Sequence, residues 1–179
     1  MAAYFVLMIT VFPKAYQDPH VGIPQPKLEG NLSAQKITLG ESFDLTISAS
    51  NQGADADLQT VTVEFPQNDN LDNVKIVSYD FLQSPKLFLK GKDIGSDYTG
   101  GKTLVQSKYP FLEAYSRPAK TDHSYSMTLQ ITPTQAGTYT IYAKTVAMPH
   151  INDQSHFPAT GTIDHQNEFV QQYTIEVTP

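Results

Sequence analysis

The chain has 179 residues and a net charge of -6, is 40% hydrophobic but only 17% charged, and contains neither Cys nor Trp. That length suits one domain with a sizeable core. An acidic chain whose only arginine is Arg117 lacks the basic surface that phosphate neutralisation needs, which excludes nucleic acid as a partner class. Without cysteine there is no disulfide, thiolate zinc site or blue-copper centre.

Residues 2–12, Ala-Ala-Tyr-Phe-Val-Leu-Met-Ile-Thr-Val-Phe, form an uncharged apolar run. The run is shorter than the about 20 residues that a membrane-spanning helix needs. It has the length of a signal-peptide apolar region, with cleavage expected near Ala15, although a basic leader is missing. A strand is the second reading. Phe5, Leu7, Ile9 and Val11 alternate with Tyr4, Val6, Met8, Thr10 and Phe12, and both sets are dominated by apolar side chains. Such a strand would be buried on both faces, in this domain or donated to a neighbouring subunit. Residues 1–17 are therefore expected to be a signal peptide, an anchor remnant or an exchanged strand. Residues 18–26, with Pro19, Pro24 and Pro26 following Pro13, make a semi-rigid extended spacer. Residues 27–179 are the folded body.

Within the body, Phe43, Leu45, Ile47 and Ala49 alternate with Asp44, Thr46, Ser48 and Ser50, the period-2 pattern of a half-buried strand. Val61, Val63 and Phe65 alternate with Thr62 and Glu64 in the same way. Residues 74–81 alternate more weakly, and Leu87-Phe88-Leu89 is a short apolar run. Residues 91–101 read as a hairpin loop, and residues 103–116 are compatible with a strand or a short helix. Tyr125, Met127, Leu129 and Ile131 restore the alternation, and Pro133 to Gly137 form a turn. Tyr139, Ile141, Ala143 and Thr145 come next, then a long loop over 148–165, then Tyr173, Ile175 and Val177. No stretch has helical periodicity. Seven to nine short strands with regular turns imply an all-β, antiparallel β-sandwich.

Two stretches resemble immunoglobulin-like domains of prokaryotic and archaeal cell-surface proteins. Leu39-Gly-Glu-Ser-Phe-Asp-Leu-Thr-Ile-Ser-Ala-Ser-Asn-Gln-Gly53 looks like the second strand of CARDB-type modules, in which a Gly-Glu turn leads into an alternating strand. Leu129 to Tyr142 is similar to the strand E, turn, strand F passage of immunoglobulin folds. The resemblance implies that Gly137 and Tyr139 form a structural corner, with the tyrosine ring buried and its hydroxyl bonded to nearby backbone. The long segment 66–120 exceeds a minimal domain, and a specific function could sit there.

No nucleophile elbow, metalloprotease helix or phosphate-binding loop is present, so no catalytic residue is nominated and no enzyme is expected. Three histidines, His150, His156 and His165, fall in one loop region and form the candidate ligand set for copper or zinc. Asp55, Asp57, Asp69 and Asp72 form a candidate calcium set, because that ion accepts flexible oxygen coordination. Asn31-Leu-Ser33 is a glycosylation sequon, meaningful only after export. The leading expectation is a secreted or cell-surface structural or adhesive module that acts through protein contacts. A filament subunit built by strand exchange through Phe5, Leu7, Ile9 and Val11 is one form of it. The alternative is an accessory sandwich that binds a metal.

Overall fold

The computed structural model describes residues 23–92, 106–149, 158, 160–163 and 169–179. Among them are eleven strands and no helix. They are β1 (Pro26–Leu32), β2 (Lys36–Thr38), β3 (Phe43–Asn51), β4 (Leu58–Glu64), β5 (Val74–Tyr79) and β6 (Lys86–Phe88). The rest are β7 (Phe111–Ser116), β8 (Ser124–Ile131), β9 (Gly137–Met148), β10 (Thr162–Ile163) and β11 (Phe169–Thr178).

Two sheets form. One has the order β1-β3-β8-β5; the other runs β10-β11-β9-β4-β7-β6, with β2 pairing parallel to β11. β1, β3, β8 and β5 occupy the places of strands A, B, E and D of an immunoglobulin domain, and β4, β9 and β11 those of C, F and G. The fold is an immunoglobulin-like sandwich. β6 and β7 extend the second sheet beyond β4, so the long segment after residue 66 supplies extra strands and an elaborated edge.

The alternation in β3 translates directly into burial. Phe43, Leu45 and Ile47 face Met127, Leu129 and Ile131 of β8 within the core, and Val61, Val63, Ile141, Ala143 and Ile175 come from the other sheet. Each such aliphatic or aromatic side chain contributes about 1.5–3 kcal/mol when withdrawn from water. Gly40, at a φ of 92°, turns the chain into β3, and Glu41 Oε2 accepts a bond of 2.7 Å from the Thr38 amide. This is the Gly-Glu turn read in the sequence.

Several expectations are corrected. The body begins one residue early, because Pro26 opens β1 rather than closing the spacer. β4 is buried on both faces, not half-buried: Thr60, Thr62 and Glu64 point away from Val61 and Val63 yet are at most 3% exposed. Residues 111–116 are a strand, since pairing with β4 places Phe111 beside Glu64. β9 continues to Met148, and Thr162 and Ile163 form a strand inside the stretch expected to be loop. The weak alternation over 74–81 has a bulge as its cause: the register with β8 shifts between Ile76 and Ser78. One extra residue swaps the faces of everything after it. Tyr79 therefore lies opposite Met127, on the same side as Val74 and Ile76.

Candidate contact surface

The corner at Gly137 and Tyr139 is present, but its hydrogen bond differs from the expectation. Gly137 has a φ of 123°, a conformation open to glycine, and leads directly into β9. Tyr139 is buried with its ring edge-on to Phe43 at 6.2 Å. Its hydroxyl donates to Asn68 Oδ1 at 2.8 Å, not to backbone. Asn68 Nδ2 donates in turn to Asn73 Oδ1 at 2.9 Å, and Asn73 Nδ2 to the Thr132 carbonyl at 3.0 Å. The asparagine-rich loop after β4 thus anchors the corner through side chains. Burial pushes the Tyr139 hydroxyl up to about 12, against the opposing pull of the bonds from Asn68 and Asn73.

The same loop answers the calcium reading. Asp55 and Asp57 precede β4, whereas Asp69 and Asp72 follow it. Seven strand residues span about 23 Å, so β4 holds the two pairs at opposite ends of the sandwich. Asp55 Oδ1 accepts from the Thr121 amide at 2.8 Å and the Thr121 hydroxyl at 2.9 Å, which ties the loop before β8 to the end of β3. Among the described residues no group of three or more His, Asp or Glu could hold a metal ion. His150, His156 and His165 lie outside the described residues, as do Phe5, Leu7, Ile9 and Val11. Asn31 is on β1, exposed, and opposite Thr46.

Two other features were not legible from motifs. The first is a buried polar row across the second sheet. Thr62 of β4 lies between Lys144 of β9 and Glu113 of β7, and all three are buried. Lys144 Nζ stands 3.7 Å from Glu64 Oε1, one pair further along. Buried charges of opposite sign hold each other there because each would otherwise carry its own desolvation cost.

The second is an open apolar mouth at one side of the sandwich. β5 ends the first sheet and β6 ends the second, and residues 80–85 connect them. Leu87 pairs with buried Leu112 and therefore faces the sandwich interior; Tyr79 pairs with buried Met127 and does the same. Neither finds a closed core. Val77 is 59% exposed, Tyr79 46%, Leu82 55%, Leu87 42% and Leu89 55%. The Tyr79 hydroxyl is held at its tip by a 2.8 Å bond with Ser84 Oγ. A run of large apolar side chains on one edge is characteristic of a surface used for contact. In the sequence its signal is the triplet Leu87-Phe88-Leu89 between Lys86 and Lys90, an apolar edge guarded by lysines.

No family model and no curated protein matches this chain. Its fold does match solved structures. A protein of Corynebacterium diphtheriae described as membrane-anchored superposes with a TM-score of 0.51 at 12% identity, over 86% of this chain and 36% of that one. A CARDB domain from Pyrococcus furiosus, solved with two metal ions, gives 0.40 at 14% identity over 86% and 88%. The Actinomyces fimbrial adhesin FimA gives 0.45 at 14% identity over 83% and 56%. Immunoglobulin-like domains, a CARDB domain among them, are thus what this chain is similar to in fold.

Proposed function

We propose that the chain is a non-enzymatic, extracytoplasmic structural or adhesive module that works through protein contacts. The observation that carries this reading is the apolar mouth between β5 and β6, where inward-facing Leu87 and Tyr79 remain exposed. Exposed apolar surface of this kind gains free energy only when a partner covers it. The fold likeness to a protein described as membrane-anchored fits the extracytoplasmic placement. The finer reading is self-association into a filament through residues 1–17, motivated by an apolar segment set ahead of a proline spacer.

Light scattering on the full chain and on a form beginning at residue 18 tests the finer reading. The full chain is expected to exceed the monomer mass and the shorter form to remain monomeric. Two stable monomers would remove it. Protease treatment of intact cells tests placement: the protein is expected to be degraded from outside, and complete protection would place it within the cell.

A further inference from the structure

We propose that the module bears tension along its long axis, applied between its entry at Ile23 and its exit at Thr178. This goes beyond the contact reading above and does not depend on the apolar mouth.

The entry and the exit lie at opposite ends of the sandwich. β1 opens beside Asn51, the last residue of β3. β11 closes beside Thr38, and the turn at Gly40 carries the chain from there to Phe43, the first residue of β3. The nine residues of β3 separate those ends by about 30 Å. A pull between Ile23 and Thr178 therefore runs parallel to the strands.

The entry is anchored before β1 begins. The Gln52 amide donates to the Gln25 carbonyl at 3.0 Å, and the Ala54 amide to the Ile23 carbonyl at 3.1 Å. These bonds continue the β1–β3 register past Pro26, so residues 23–25 of the expected spacer already lie against the body. Pro24 and Pro26 fall at the intervening positions, where the ladder requires no N–H. Asn51, fully buried, holds the junction: its Oδ1 accepts from the Gln25 amide at 2.9 Å, and its Nδ2 donates to the Ala54 carbonyl at 2.6 Å. A Cβ at Gly53 would collide with the Ile23 carbonyl, so this close approach depends on glycine.

The exit strand is tied to the entry side of the chain by β2. β2 runs in the same direction as β1 and pairs parallel with the end of β11. The Glu176 amide donates to the Gln35 carbonyl at 2.9 Å, and the Leu39 amide to the Thr178 carbonyl at 2.7 Å. Lys36 Nζ stands 2.8 Å from Glu176 Oε1 on the same pair. Because the two strands are parallel, tension draws β2 toward the Asn51 end and β11 toward the Gly40 end. Strands loaded in this way slide past each other only when all their rungs yield together. Strands pulled apart from one shared end would lose their rungs one at a time. The ladder of Gln171–Val177 with β9 resists the same pull along its own length.

The chain has no cysteine, so two introduced cysteines define the pulling points on the full chain. Optical tweezers compare an Ile23→Cys/Pro179→Cys chain, pulled along the strands, with a Leu39→Cys/Pro179→Cys chain, pulled from the shared end of β2 and β11. All three positions are exposed, which spares the fold in both chains. The pull along the strands is expected to break in one event, at about twofold or greater force than the pull from the shared end. Equal forces in the two geometries would overturn the proposal. So would a pull along the strands that yields in small successive steps, because the rungs would then part singly.

Discussion

β3 and β4 both alternate apolar with polar residues, at Phe43, Leu45, Ile47 and Ala49 in β3 and at Val61 and Val63 in β4, but they meet different surroundings. The outward side chains of β3 are exposed or half-buried and form a hydroxyl array: Thr46 Oγ1 is 3.2 Å from Thr128 Oγ1, and Ser48 Oγ is 2.7 Å from Ser124 Oγ. The outward side chains of β4, Thr60, Thr62 and Glu64, are buried beside Lys144 and Glu113. Alternation specifies which face of a strand enters the core. It carries no information about the other face, because that depends on neighbours far away in sequence.

If that contrast is right, substitutions on the outward faces should differ sharply. The largest effect is expected at the buried row. Lys144→Ala should cost about 3–5 kcal/mol in denaturant unfolding, because it removes a buried ammonium that stands 3.7 Å from the buried Glu64 carboxylate. The paired Glu64→Leu/Lys144→Met chain should recover much of that loss. Leu45→Ala, on the inward face of β3, should cost about 3 kcal/mol through the cavity it leaves. Asn68→Ala should cost about 1–3 kcal/mol, since it removes the acceptor of the 2.8 Å bond from the buried Tyr139 hydroxyl. Ser48→Ala on the outward face of β3 should stay within about 0.5 kcal/mol. Equal losses at Ser48 and Lys144 would erase the distinction between the sheets.

The tyrosine corner adds a pH dependence. The folded-state value of Tyr139 is raised above the ordinary 10.0 to about 12. The native state thus holds this proton more tightly than the unfolded chain does. The associated stability is complete below pH 10 and is lost as pH rises from about 10 to 12. Burial, and then the charge of Glu29, raises Tyr173 in the same direction. Unfolding midpoints measured between pH 9 and 12 should fall, and Tyr139→Phe should flatten part of the decline. An unchanged slope in that variant would assign the alkaline loss to other groups.

Much of the fold was readable because core strands write their burial into every second residue. β3, β8 and β11 needed no more than that, and Gly137 with Tyr139 marked the corner. What was not readable depends on contacts between distant segments. The bulge in β5 inverted its own pattern halfway along. Asp55 and Asp57 looked close to Asp69 and Asp72 along the chain, until β4 was seen to stand between them. The tyrosine found an asparagine instead of backbone because the loop after β4 folds back beneath β9. The mouth left no motif, since Leu87 and Leu89 look like core residues in the sequence, yet the fold leaves both exposed.

Amide hydrogen exchange on the full chain, compared between dilute and concentrated samples, tests the central claim of an apolar mouth used for contact most directly. Residues 77–89 should exchange markedly more slowly in the concentrated sample, while the amides of β3 and β8 should be unchanged. Identical exchange over residues 77–89 in the two samples would contradict the account.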